Sequence, residues 1–94
     1  MYNPPPHIKK IQTNYQLLSE KMDPDSGLLG DLFAQEIITH REMQTVKAGK
    51  TSYDRNEELL SVMMRKNDAK FKQFVAALRA ANMTDLAGSL EINS

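Results

Sequence analysis

Apolar residues recur along this chain at intervals of three and four and never alternate over a usable length, a helical pattern throughout. Ile8, Ile11, Tyr15, Leu18 and Met22 make one face of a first helix, broadened by Leu17. Pro6, the last of three consecutive prolines, fits its first turn. The helix should end before Asp23-Pro24, because a residue preceding proline is pushed out of the α region. Leu28, Leu29, Leu32 and Phe33 form the face of a second helix, with Asp25 or Ser26 as its N-cap. Gly27 and Gly30 weaken it by about 1 kcal/mol each if interior, so it depends on tertiary packing.

Thr39–Glu42, THRE, has the form of a capping box opening a short third helix. Met43, Val46 and Ala48 face inward there, and Gly49 is expected to close it as a left-handed residue. Thr51 or Ser52 caps a fourth helix with the stripe Leu59, Leu60, Met63 and Met64, preceded by Asn56 or Tyr53. Asp68 is expected to cap a fifth, with Phe71, Phe74, Val75, Leu78 and Ala81 on one face. Thr84 is expected to cap a sixth, carrying Leu86, Ala87 and Leu90. Six short antiparallel helices with brief connections predict an all-α bundle. The boundaries read as a lead-in over 1–7, a helical domain over 8–91, and a tail or start of a linker over 92–94.

Length and composition narrow the function. A chain of 94 residues is one domain, able to bury roughly 60–65% of its unfolded surface. The absence of cysteine excludes disulfides, thiolate metal sites and cysteine nucleophiles. It also leans toward an intracellular, cytoplasmic setting, since small secreted domains commonly depend on such staples. No apolar run approaches the roughly 18–20 residues of a membrane span, and the N-terminus lacks the apolar core of a secretory signal.

No constellation carries chemistry. His7 and His40 have no second ligand at metal spacing, and both read as solvated. The carboxylate pairs Asp23/Asp25 and Glu57/Glu58 suit helix starts, where negative charge is favoured, better than acid–base work. Hydroxyl residues fall at caps, and no G-x-S-x-G elbow occurs. AGKT at 48–51 is half a phosphate loop: Gln44 stands where the frame needs glycine, and a helix precedes it instead of a strand. Met22, Met43, Met63, Met64 and Met83 are expected to fill gaps in a thin core, not to line an adaptable groove. No catalytic, cofactor-binding or metal-binding residue is assigned, and no cofactor is expected.

Charge is more informative. Twelve basic and twelve acidic residues cancel. Yet basic residues gather on the first, fourth and fifth helices, and Asp23, Asp25, Asp31 and Glu36 gather around the second. Separating the signs by helix is what a head-to-tail interface between like domains uses, and a contact that does not close on itself yields a helical filament. A rival reading is a small helical nucleic-acid-binding domain, motivated by Arg65, Lys66, Lys70 and Lys72. Neutral net charge and the lack of a defined recognition helix oppose it.

The order of motifs is itself distinctive. The "LL..L....II" of the second helix is followed by "IT..E" before the third, then by "R..ELL..M..K....F..FV.AL" across the fourth and fifth, and by a closing "LA..L". Together they span roughly residues 8 to 91 and resemble a caspase recruitment domain (CARD) of the death-fold superfamily. The resemblance implies a six-helix Greek-key bundle with a first helix that is often kinked, and no catalysis. It implies homotypic binding to another CARD, of a caspase prodomain or an adaptor, in apoptotic or inflammatory signalling, with self-association or filaments, and neither nucleic acid nor membrane as partner. By position, the resemblance implies a basic side at Lys9, Lys10, Arg55 and Arg65, and an acidic side at Asp25, Asp31, Glu36 and Glu42. The chain departs from the pattern at Tyr53 and Glu57, which stand where some caspase-binding members are basic. Tyr53 is expected to be partly buried.

Overall fold

The computed structural model describes residues 6–92 and contains seven α-helices, with no strand among the described residues: α1 (Pro6–Thr13), α2 (Tyr15–Lys21), α3 (Leu28–Ala34), α4 (His40–Lys47), α5 (Ser52–Met64), α6 (Asp68–Ala80) and α7 (Thr84–Ile92). Pro4 and Pro5 lie outside the described residues, and Pro6 opens α1 as expected. α1 and α2 are the two halves of the first helix, interrupted at Asn14. The Asn14 amide nitrogen donates to the Lys10 carbonyl at 2.9 Å, which also receives the Asn14 backbone N–H at 3.2 Å. Short amide side chains compete with the backbone in this way, and here Asn14 leaves the helical conformation, at φ -105° and ψ 14°.

Local chemistry explains most helix ends. α2 stops at Lys21, with Met22 already extended before Asp23-Pro24. The capping box on α4 is complete: Thr39 N–H donates to Glu42 Oε1 at 2.8 Å and Glu42 N–H to Thr39 Oγ1 at 3.1 Å. Thr51 caps α5 by accepting from Asp54 N–H at 3.0 Å.

Four expected helix ends differ. Neither Asp25 nor Ser26 caps α3; the Asp23 side chain and carbonyl hold those two residues in a turn, and Gly27 is the N-cap at φ 94°. That left-handed position suits glycine, which lacks a Cβ to clash. Gly49 is not left-handed; a Cβ there would lie 3.0 Å from both Arg55 Cγ and Arg55 N, so glycine permits a close approach. α6 is capped by Asn67, one residue before Asp68, through Lys70 N–H at 2.9 Å. Thr84 is already inside α7, whose first bond runs from Ala87 N–H to the Met83 carbonyl.

α3 and α6 both end with a 6→1 and a 5→2 backbone bond around a left-handed residue. At α6 this is Asn82, φ 65°; at α3 it is Glu36, φ 61°, with Ile37 N–H reaching the Leu32 carbonyl at 2.9 Å.

Packing centres on α5, which contacts α1, α2, α4 and α6; α3 packs on α4 and α6, and α7 on α6 and α2. Ile11, Leu18, Leu28, Leu32, Val46, Leu59, Leu60, Met63, Phe74, Leu78, Ala87 and Leu90 are fully buried. Ile37 and Ile38, between helices, are buried as well, as are Val62 and Ala77. Met22, Met43 and Met63 fill the core as expected, whereas Phe33, Leu17 and Tyr53 are exposed, and Ala48 points outward. His7 corrects its expectation: it is buried, its ring 5.7 Å from that of Phe71, and neither ring nitrogen has a partner among the described residues. The second residue of a short helix lying on α6 is covered by the bundle, whatever its polarity.

Phe74→Ala should lower stability by about 3–5 kcal/mol, read from the urea midpoint by far-UV circular dichroism. Gly49→Ala should lower it by about 1–3 kcal/mol, because the Arg55 backbone cannot yield to the added methyl.

Candidate docking surface

The residues assigned to the two charged sides do not stay on two sides. Arg55, at the start of α5, is only 19% exposed by side chain. Its Nη2 reaches Asp25 Oδ2 at 2.9 Å and Ser52 Oγ at 3.3 Å, and its Nη1 donates to the Gly49 carbonyl at 2.8 Å. A basic candidate and an acidic one thus pair with each other, clamping the turn before α3 and the loop before α5. Charge-assisted bonds to a carbonyl and a carboxylate together give this arginine one geometry.

Glu42 is also engaged. Besides the cap, its Oε1 takes a bond from Lys66 Nζ at 2.8 Å, in a pair about four-fifths covered on each side. Burial alone pushes the Glu42 carboxyl up; the Lys66 ammonium and the Thr39 N–H and hydroxyl outweigh it and hold the group below the ordinary glutamate range. Across the α2–α5 contact, Tyr15 Oη donates to Glu57 Oε2 at 3.3 Å. Burial first, and the Glu57 carboxylate next, push the Tyr15 phenol up.

The remaining candidates are open. Lys9 is exposed on α1; Lys10 is half-buried at a cleft it lines with Asp68, Phe71 and Glu91. Arg65, the C-cap of α5, is exposed, and its side chain reaches Ser61 Oγ at 3.3 Å. Asp31 is half-buried in α3, and Glu36 is exposed just past it. Neither carboxylate has a side-chain partner among the described residues, although the Glu36 carbonyl receives Lys70 Nζ at 2.8 Å. Lys66 as the partner of Glu42, and Glu57 as that of Tyr15, were missed by sequence reasoning, since both contacts join residues more than twenty positions apart. Among the described residues no group of three or more His, Asp or Glu could hold a metal, and no helix is long and apolar enough to cross a membrane.

This is an all-helical bundle whose charged groups divide into internally paired and open sets. The family profile described as "Caspase recruitment domain" matches residues 8–93. The chain belongs to the CARD family. Caspase recruitment domain-containing protein 8 of Homo sapiens is 34% identical over 58 residues, which cover 62% of this chain and 11% of that protein. The Pongo abelii protein of the same name is 31% identical over 58 residues, covering 62% of this chain and 14% of that protein. The matched stretch is thus a small part of these relatives' length. No solved structure matches the chain. As a CARD, the chain has the death fold, with its first helix divided at Asn14, and is a homotypic protein-interaction module. The family is an interaction family, not an enzyme family.

The depressed Glu42 carboxyl has a consequence for pH. A group whose folded pKa is lowered contributes stability above its unfolded pKa and loses it as pH falls through the folded one. The parent should therefore lose stability from the ordinary glutamate range downward, and Glu42→Gln should flatten that part of the slope. Urea midpoints measured from pH 7 to pH 3 check this.

Proposed function

We propose that this CARD binds another CARD, that of a caspase prodomain or an adaptor, through exposed charges, carries out no catalysis, and acts in cytoplasmic apoptotic or inflammatory signalling. Asp31 and Glu36 form the core of the acidic side, and Lys9, Lys10 and Arg65 supply the basic side. Arg55, Asp25 and Glu42 act chiefly inside the domain, since each already has a short ionic partner.

The observation that carries this reading is Glu36. It holds a left-handed backbone, φ 61°, at a helix end where glycine is the usual residue. A non-glycine residue pays strain there, of order 1 kcal/mol. The Glu36 side chain gives nothing back to the fold, being exposed and unpaired among the described residues. A strained position that keeps a solvent-facing carboxylate supports a role for that charge in contacting a partner.

Exposed charge pairs are screened beyond a Debye length of about 8 Å at 0.15 M salt. Binding to purified caspase-prodomain or adaptor CARDs should therefore weaken from 50 to about 500 mM salt. Asp31→Lys should weaken it strongly with unchanged helicity. Glu36→Gly should raise fold stability by up to about 1 kcal/mol while weakening binding. If both variants bind like the parent by fluorescence anisotropy, the acidic side is misassigned.

A further inference from the structure

The junction of the α4–α5 loop with α5 carries three hydroxyls in a row, at Thr51, Ser52 and Tyr53, and the fold uses the first two differently. Thr51 Oγ1 is committed to the Asp54 N–H at 3.0 Å as the N-cap of α5. Ser52, the first residue of α5, is exposed and is not the cap. Its Oγ meets Arg55 Nη2 at 3.3 Å, beyond the usual N–H···O range, so the neutral hydroxyl gives the fold little.

The arginine is under-used as well. Nη1 holds the Gly49 carbonyl at 2.8 Å and Nη2 holds Asp25 at 2.9 Å, while Nε is buried with no partner among the described residues. A guanidinium with a spare donor therefore stands beside an exposed serine hydroxyl, across a gap too long for a good hydrogen bond. A phosphate suits that gap, with three strong acceptor oxygens and a charge of about −1.5 to −2, a group whose shape and charge match the arginine fork. The approach is open. Lys50, Thr51 and Ser52 are exposed, and Thr51 is extended, at φ -121° and ψ 163°, the form in which a binding groove takes a peptide. Lys47 and Lys50, exposed upstream, supply the kind of charge pattern by which kinases select substrates.

We propose that Ser52 is a phosphorylation site whose phosphate takes Arg55 away from Asp25. The donor is a nucleoside triphosphate brought by a protein kinase that prefers basic substrates. Ser52 Oγ bonds to the γ-phosphorus, and the bond from that phosphorus to the β–γ bridging oxygen breaks. Its electron pair stays on the nucleoside diphosphate, and the hydroxyl proton passes to the kinase's catalytic carboxylate. The phosphate carries nearly twice the charge of Asp25. It also lies three positions from Arg55 on one helix turn, whereas Asp25 is thirty positions away in another loop. Asp25 gives up little, because its side chain is 58% exposed and returns to water. The turn before α3 keeps its own bonds to Asp23 but loses its tie to α5. A covalent mark on α5 thus loosens the approach to α3, the helix that carries Asp31.

Mass spectrometry of the purified domain, after incubation with magnesium ATP and a panel of basophilic serine/threonine kinases, tests the acceptor. Phosphate on Ser52 is expected, absent in Ser52→Ala; a panel that leaves Ser52 unmodified overturns the proposal. The exchange of partners is tested with phosphoserine installed at position 52 during translation, with folding checked by far-UV circular dichroism. In the unmodified domain Asp25→Asn lowers the urea midpoint, because it breaks the Arg55 pair. In the phosphorylated domain the same substitution leaves the midpoint where it was. Phosphorus NMR gives a second reading: the last ionisation of the phosphate falls at lower pH than in a phosphoserine peptide of residues 49–57, because Arg55 is held against it. An equal change of midpoint in both forms, or a phosphate that ionises as in the peptide, overturns the proposal. Neither readout depends on binding another CARD, so this inference and the proposed function fail separately.

Discussion

The Asn56 side chain, fully buried on α5, donates its two amide hydrogens to the Ser19 carbonyl at 2.9 Å and the Met22 carbonyl at 2.7 Å. These are carbonyls that the end of α2 leaves without helical partners. An unmet carbonyl in the interior costs about 1–3 kcal/mol, so one residue closes the end of a helix and ties it to the most central element of the bundle. Because α5 also packs against α1, α4 and α6, fixing α2 to it fixes the frame on which the other helices lie. The arrangement is not fully satisfied: Asn56 Oδ1 and Ser19 Oγ have no partner among the described residues.

That frame leaves little interior to spare. Helices of seven to thirteen residues each bury one narrow face, and nearly every buried position is apolar. Specificity must therefore come from the outside, where the charges fall into two populations. Arg55, Asp25, Glu42 and Lys66 pair within the chain and hold loops and caps in place. Lys9, Asp31, Glu36, Arg41, Lys47, Asp54 and Glu58 have no ionic partner among the described residues. Removing a charge of the first group changes the fold and the surface together, whereas removing one of the second chiefly changes the surface, with Glu36 carrying a backbone strain besides.

The spacing of apolar residues was enough to place the helices and most of the core, and the THRE pattern to place the Thr39–Glu42 box, because each rests on relations within one or two turns. The break at Asn14 was not legible from the residues, since the apolar period runs through it without a skip. Ile37 and Ile38 are core residues outside any helix, so no helical period marks them. Gly27 took the cap expected of Asp25 or Ser26 because those two are held in a turn by Asp23. The Arg55–Asp25 pair joins residues thirty positions apart, and local pattern has no access to such a distance. It moved two candidates from the docking surface into the scaffold. His7 shows the opposite limit: residue type suggested solvent, and position in the bundle decided otherwise.

Net charge of zero then acquires a physical role. Two copies of a strongly charged domain repel at every orientation, and no local patch is free to act until that repulsion is screened. Here the monopole vanishes and the first surviving terms are local: Arg41 and Lys47 on α4, Asp54 on α5, and the carboxylates of Asp31 on α3 and Glu36 just past it. Orientation, not overall attraction, decides whether two such surfaces meet productively. Salt then acts on short-range pairing within a Debye length, with little effect on the approach of one copy to another. A balanced composition, which argues against nucleic-acid binding, is for the same reason well suited to a domain that must pack against its own kind.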